Sequence, residues 1–297
     1  MGDYTIGIDL GGTNLRVALV DKHGTILQEL ERSTEPEKGP EFVVSNMVEM
    51  IQSVKGDHPV DSIGIGSPGP LNPKTGVIIE PPNLTGWSNV HIVEMLQKAI
   101  NIQVTLDNDA NAAALAEATI GAGAGHESVF YITVSTGIGG GYIIENKVVQ
   151  GAQGYAGEIG NMIVVPNGRK HSNLNPGALE ALASGTAIAH IAEEKGIKGG
   201  TAEVFRLAEE GNSKAREIID DALTYLAIGI ANLAHAVNPD IFVLGGGVMK
   251  SEKQVLEPLR EKVANLLYPG LRDSIKIVPA GLGSKAGVVG AALLPRQ

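Results

Sequence analysis

The 297-residue sequence contains no cysteine, which excludes disulfides, thiolate nucleophiles and cysteine-ligated zinc. It has no basic excess either: 23 Lys and Arg stand against 33 Asp and Glu, a formal net charge of −10. A general nucleic-acid binder needs a basic face to meet phosphates, so no nucleic-acid partner is expected. No block of about five or six like charges marks an interaction tail. No apolar stretch reaches the roughly 18 residues of a membrane span. The opening Met1-Gly2-Asp3-Tyr4 leads into a strand-like run rather than the basic and apolar regions of a secretory leader. A cytoplasmic enzyme with no membrane partner is the expectation. At 43% hydrophobic and 19% charged residues, the chain is long enough for two modest domains sharing a cleft.

Glycine is abundant instead, with 39 residues gathered in clusters. They lack a three-residue period, which excludes a collagen-like chain. Between strand-like runs they indicate tight turns or backbone brought close to a ligand. Residues 4–9, 15–21 and 25–32 read as an antiparallel meander joined by Gly11-Gly12-Thr13-Asn14 and Lys22-His23-Gly24. A helix over 41–54 follows, then a buried strand over 62–66, a helix over 92–100 and a strand over 103–106. The alanine-rich run 110–120 predicts a strong helix. Strands over 128–134, 141–145 and 147–150 repeat the meander around a second turn, Ser135-Thr136-Gly137-Ile138-Gly139. Aligning Gly11 with Gly137 puts the repeat at roughly 126 residues, so a duplicated unit is expected. The rest is mostly helical, over 179–195, 202–210, 213–237 and 253–267, with strands at 240–244 and 275–279 and a small-residue helix over 285–294.

Each glycine turn admits a plain reading and a chemical one. Glycines let backbone N–H groups face a phosphate with no Cβ in the way. In the first turn Thr13 adds a hydroxyl, and Asp9 ahead of it can orient a magnesium-bound water; the same residues also make an ordinary hairpin. The second turn carries two hydroxyls, Ser135 and Thr136, and more glycines than a hairpin needs. A third cluster, Gly245-Gly246-Gly247, ends a strand ahead of a helix, where a nucleotide can lie against bare backbone. None is followed by the Gly-Lys-Ser/Thr of a Walker A loop, and the first leads into a strand rather than the helix of a dinucleotide fold. Three such turns on a duplicated meander point to nucleotide phosphates. Asp109 stands where a strand gives way to the alanine-rich helix, with Asn108 before it. Either residue serves as an N-cap there, and Asp109 equally suits the group that takes a hydroxyl proton in phosphoryl transfer. Glu158 and Glu180, on their own, are solvated or helix-end acids.

The set Asp9-Leu10-Gly11-Gly12-Thr13-Asn14, Gly64-Ile65-Gly66-Ser67-Pro68-Gly69-Pro70, Leu106-Asp107-Asn108-Asp109-Ala110-Asn111, Ser135-Thr136-Gly137-Ile138-Gly139-Gly140-Gly141 and Gly157-Glu158-Ile159-Gly160 resembles the ROK family. These are sugar kinases and sugar-responsive repressors with an α/β fold of duplicated, ribonuclease-H-like (actin-like ATPase) domains around a cleft. The resemblance covers nearly the whole chain, in order. It implies that Asp9, Gly11, Gly12, Thr13 and Asn14, with Ser135, Thr136, Gly137 and Gly139, face the phosphates of ATP, and that Gly245, Gly246 and Gly247 lie near the adenosine. It further implies Asp109 as catalytic base, Asn108, Glu158 and Glu180 as hexose contacts, and Asn83 as another sugar-side position. Trp87, the only tryptophan, either walls the sugar or packs in the core. A small domain of 1–112 plus 284–297 and a large domain of 113–283 are expected, in a homodimer or homotetramer.

Many family members follow Gly-Glu-x-Gly with a histidine and then a Cys-x-Cys-Gly-x-x-Gly-Cys-x-Glu run that together bind zinc. Here Asn161 stands at the histidine position and His171, Asn173 and Ala178 at the three cysteines, while Gly177 and Glu180 keep the frame. One ligand in four cannot hold a tetrahedral ion. ATP and Mg2+ are therefore the expected cofactors, and a structural zinc is not; Asn175-Pro176 and neighbouring residues are expected to stabilise the loop by hydrogen bonds and proline stiffness. Asn161 remains a sugar-side position with shorter reach. The implied reaction moves the γ-phosphate of ATP to a hexose, at the 6-hydroxyl of glucose, with N-acetylmannosamine and fructose as the nearest alternatives. A repressor of this family carries an N-terminal helix-turn-helix, whereas the first strand here is expected at Tyr4; a non-catalytic sugar sensor need not keep Asp109.

Overall fold

The computed structural model describes residues 2–297. The chain opens with β1 (Tyr4–Leu10), β2 (Asn14–Asp21) and β3 (Ile26–Ser33), followed by α1 (Pro40–Lys55) and β4 (Val60–Ser67). A small hairpin that the sequence did not announce, β5 (Leu71–Asn72) with β6 (Val77–Ile78), precedes α2 (Ile92–Ile100), β7 (Gln103–Asn108) and α3 (Asp109–Thr119). Then come β8 (Ser128–Val134), β9 (Ile138–Ile144), β10 (Lys147–Val148), α4 (Leu179–Ala183), α5 (Gly185–Glu194), α6 (Gly200–Glu209) and α7 (Ser213–Ala236). β11 (Ile241–Gly245), α8 (Glu252–Leu266), β12 (Lys276–Pro279) and α9 (Ala286–Leu293) complete it.

Two five-stranded sheets carry the same order, β3-β2-β1-β4-β7 and β10-β9-β8-β11-β12. In the first, β1 and β3 flank β2 antiparallel, while β1, β4 and β7 run parallel. In the second, β10 pairs antiparallel with β9, and β8, β11 and β12 run parallel. The meander is duplicated in a mixed α/β fold. Strand ends fix its register: Tyr4 answers to Ser128 and Asn14 to Ile138, each 124 positions on. The expected alignment of Gly11 with Gly137 is therefore off by two, and Gly11 answers to Ser135. Matching glycine to glycine misled because a turn position is defined by its distance from the strand end, and either turn can be built with different residues.

A second correction concerns the helix expected over 179–195, which is broken at Ser184. That residue is extended (φ −71°, ψ 163°), and its hydroxyl accepts the N–H of Ala187 at 3.1 Å, an N-cap that starts α5 afresh. Helical periodicity runs through the break, so only the cap chemistry could have revealed it.

The chain divides into two compact units. Unit 1 comprises the residues up to Glu127, 141–156 and 282–297; unit 2 comprises 128–140 and 157–281. Where a division after residues 112 and 283 was expected, α3 stays whole in unit 1. The reason is close packing on α9: a Cβ added at Gly290 would fall 1.7 Å from the Ala112 carbonyl oxygen.

Unit 1 shows how strand alternation positions chemistry. Ile6, Ile8 and Leu10 of β1, with Ile63 and Ile65 of β4, join Met47, Met50 and Ile51 of α1 and Leu96 of α2 in one buried cluster. The alternate residues point to the other face. There Gly7 and Gly64 let the α9 backbone lie directly on the sheet, since added Cβ atoms would come within 2.0 Å of Val288 O and 1.8 Å of Ala291 O. Asp9 belongs to this second face, and a Cβ at Gly287 of α9 would sit 2.9 Å from its Oδ2. In unit 2, α7 is the long core helix, capped by the Asn212 side chain on Ala215 N at 3.1 Å and meeting Leu179 of α4 at Gly229.

Candidate functional site

Within unit 1 the register of three parallel strands gathers the acids. Asp9 pairs with Gly66, and Gly66 with Asp107, so the C-terminal ends of β1, β4 and β7 lie level. In an open parallel sheet these ends are where ligands bind. Asn108 follows as the N-cap of α3: its Oδ1 accepts from Ala110 N at 2.8 Å, and Asp109 Oδ1 shares that donor at 2.8 Å. The cap belongs to Asn108, whose Nδ2 takes no part in it, and Asp109 opens the helix with its side chain exposed. Beneath them Asp107 is buried and accepts from Asn108 N, Asn111 Nδ2 and Gln150 Nε2 at 2.7, 2.8 and 2.7 Å. This support was not foreseen: Asp107 belongs to β7 and Asn111 to α3, so neither the strand nor the helix period pairs them.

The first glycine turn is braced by a residue that carried no sequence signal. Thr34, fully buried, donates its N–H to Thr13 O at 2.8 Å and its hydroxyl to Gly11 O at 2.7 Å. Gly11 N is used on Asn14 O at 2.9 Å, and the amides of Gly12 and Thr13 have no partner among the described residues. Two successive free N–H groups and the Thr13 hydroxyl are donors of the kind that can meet an anion. Asn83 lies against it, because a Cβ at Gly12 would come within 2.4 Å of Asn83 O. Trp87 takes the structural option: it is 2% exposed and donates Nε1 to Pro36 O at 3.2 Å, so it packs in the core.

Electrostatics single out the same acids. Burial first, then the like charge of Asp109, push Asp9 up to about 6, against the pull of Arg16. Asp109 is also raised, by desolvation, with the Ala110 amide opposing. Burial likewise lifts Asp107 against its hydrogen bonds to Asn111, Gln150 and Asn108. Raised carboxylates make stability fall with rising pH. The Asp9 contribution is fully present below 3.8 and is lost as pH rises through about 6. Asp9→Asn is therefore expected to be more stable than the native protein near pH 7.5, by about 1–3 kcal/mol. The difference should vanish near pH 4, as urea unfolding at the two pH values would show.

Within unit 2 the second turn is gripped from two sides. Ser135 N donates to Gly137 O at 2.9 Å, while Ser135 O and Thr136 O accept from Gly185 N and Thr186 N at 2.8 and 3.3 Å. The break at Ser184 thus sets the start of α5 against the turn. Glu180, in the first turn of α4, accepts the Ile138 N–H on Oε2 at 2.7 Å. The amides of Thr136 and Gly137 are left without a partner among the described residues, beside two exposed hydroxyls. β9 starts at Ile138, so Gly139 is a strand residue rather than part of the turn. Gly246 (φ 92°) passes so near β8 that a Cβ would meet Val134 O at 2.3 Å, and a Cβ on Gly247 would be 3.5 Å from Ser135 Oγ. Gly245, still in β11, abuts Tyr131. The second and third glycine clusters therefore adjoin.

Glu158 is exposed ahead of a short 3-10 turn, Ile159–Asn161. Asn161 Oδ1 accepts Asn175 N at 2.9 Å, a direct tie between two segments of the loop. Gly177 (φ 77°) donates to Arg169 O and accepts from Val164 N, both at 2.9 Å, while Arg169 forms a two-pronged pair with Glu194 at 2.8 and 2.7 Å. Among the described residues no three His, Cys, Asp or Glu side chains cluster to hold a metal, and no helix is long and apolar enough to cross a membrane.

Duplicated meanders, two turns with free amides and hydroxyls, and paired acids at strand ends define a phosphate-handling protein of the actin-like ATPase fold. A profile of the ROK family matches residues 5–297, and the chain belongs to that family. It is 35% identical to a glucokinase of Thermotoga maritima, over 98% of this chain and 97% of the relative. It is 36% identical to a ROK hexokinase from Thermus thermophilus, with a TM-score of 0.88 and 98% and 97% of the two chains covered. A ROK glucokinase from Streptomyces griseus, solved in complex with glucose and AMPPNP, gives 32% identity, a TM-score of 0.81 and 99% coverage of both chains.

Proposed function

We propose that this protein is an ATP-dependent hexose kinase that transfers the γ-phosphate to the 6-hydroxyl of glucose, with Asp109 as the base. The observation that carries this is Asp109 itself, an exposed acid of raised pKa opening α3 next to Asp9 at the sheet's C-terminal edge. Such a group takes a proton readily from a hydroxyl at neutral pH. By resemblance Asn108, Asn83, Glu158, Asn161 and Glu180 are the sugar contacts. The free amides of Gly12, Thr13, Thr136 and Gly137 suit the phosphates, with Asn14, Ser135, Gly11 and Gly139 in the same segments, and Gly245 to Gly247 suit the adenosine.

In the reaction the carboxylate of Asp109 accepts the hydroxyl proton as the sugar oxygen bonds the γ-phosphorus. The bond from that phosphorus to the β,γ-bridging oxygen breaks, and ADP leaves. Asp9 is a half-buried carboxylate repelled by Asp109, a fit for a cation site. Mg2+ held there through water would supply charge neutralisation for the phosphates. By resemblance the enzyme works in the cytoplasm as a homodimer or homotetramer.

An ATP-coupled assay over a panel of hexoses and N-acetylhexosamines tests the reading. Glucose is expected to give the highest kcat/KM and a 6-phosphate product. Preference for N-acetylmannosamine or fructose would reassign the sugar, and hexose binding with no phosphorylation of any member would replace the kinase with a sensor.

A further inference from the structure

We infer that Glu180 is a positioning residue that couples sugar binding to nucleotide binding, one carboxylate oxygen holding the 135–138 turn open while the other meets the sugar. The inference rests on the kinase reading above and adds a role for the carboxylate beyond contact with the hexose. Glu180 Oε2 accepts the Ile138 N–H at 2.7 Å, and this oxygen lies so close to the turn that a Cβ at Gly137 would be 2.5 Å away. A Cβ at Gly160, next to Asn161, would be 3.2 Å from the same oxygen. One side chain therefore touches both the phosphate turn and the Gly157-Glu158-Ile159-Gly160 segment.

Within the turn Ser135 N donates to Gly137 O at 2.9 Å. Its carbonyls at Ser135 and Thr136 are taken by Gly185 and Thr186 at the start of α5, which fixes one side. The other side is the Ile138 amide, and Glu180 is its acceptor. An amide-to-carboxylate hydrogen bond is charge-assisted and short when well formed. A sugar hydroxyl bound to Oε1 fixes the carboxylate in the rotamer in which Oε2 holds the turn, and nucleotide phosphates drawing on the Thr136 and Gly137 amides favour that same arrangement. Such linkage is reciprocal by thermodynamic necessity.

Calorimetry on the full-length protein with AMPPNP and glucose tests this, each ligand titrated alone and in the presence of the other. In the native protein glucose should lower the AMPPNP Kd about 5-fold or more, and AMPPNP should lower the glucose Kd by the same factor. Glu180→Ala should weaken AMPPNP binding about 5-fold without any sugar present and bring the coupling factor to within about 2-fold of unity. Glu180→Gln keeps an oxygen able to accept the Ile138 N–H, so AMPPNP binding without sugar should return to the native value while glucose binding stays weak. That rescue also separates the role from misfolding. Native coupling retained in Glu180→Ala, or nucleotide binding unchanged when sugar is absent, would overturn the inference and leave the kinase reading standing. A native protein that binds neither glucose nor AMPPNP would overturn both.

Discussion

Asp109→Asn is expected to bind hexose and nucleotide with affinities within a few-fold of native and to turn over about two to four orders of magnitude more slowly, the usual scale for loss of a general base. The substitution keeps the side chain's size and its carbonyl oxygen, so the shared hydrogen bond from Ala110 N survives and α3 starts where it did. What disappears is the acceptor for the hydroxyl proton. Stability should move the other way, because Asp109 is held above its ordinary pKa by desolvation and is charged at a cost in the folded state. The side chain is exposed and solvent screens most of that cost, so the variant should melt at or slightly above the native temperature at neutral pH. The native pH–rate profile supplies a second signature: turnover falls as pH drops through the raised pKa of Asp109, and the mutant loses that limb. Steady-state kinetics with a parallel thermal melt checks both, and near-native turnover would show that another group takes the proton.

Gly64→Ala is expected to destabilise unit 1 by about 4 kcal/mol or more, enough to lose most of the folded protein. The added Cβ would stand 1.8 Å from the Ala291 carbonyl and 3.1 Å from the Pro295 ring. The obstacle is helix backbone, which cannot rotate aside as a side chain does, so α9 must lift from the sheet. Overpacking of a side chain alone typically costs about 1–3 kcal/mol, and displacing α9 also disturbs Asp9 and α3, which pack on it. Gly270→Ala makes the control, since nothing lies within 4 Å of the new methyl group. That change should be close to neutral in urea unfolding. Soluble, cooperative unfolding of Gly64→Ala near the native midpoint would show that α9 sits less tightly than described.

Much of this was legible in the sequence. The alternation of Ile63-Gly64-Ile65-Gly66 records a strand with a packed face and a bare one, and the small residues of α9 record the helix that lies on it. The strand-to-helix step at Asn108-Asp109 was equally visible, although whether either residue capped the helix was open until Asn108 Oδ1 was found on Ala110 N. Thr34 was invisible, because one threonine after a strand resembles any other and its two bonds are made to residues 21 and 23 positions earlier. The bond from Glu180 to Ile138 spans 42 positions and was hidden for the same reason. The break at Ser184 escaped because apolar spacing continues across it. Periodicity reports burial, whereas a cap is a matter of one residue's dihedral angles.

The placement of α9 also bears on how the protein is made. The segment 282–297 belongs to unit 1, and Arg296 donates to Thr5 Oγ1 of β1 while Gln297 Oε1 accepts from Val148 N. Chains emerge from the ribosome N-terminal end first, at roughly 5–20 residues per second. The first sheet must therefore wait, one face covered only in part by α3, while all of unit 2 is synthesised. Bare glycine strands have few apolar side chains to expose during that interval, so the contact that makes Gly64 intolerant of a methyl group also keeps the waiting sheet from sticking.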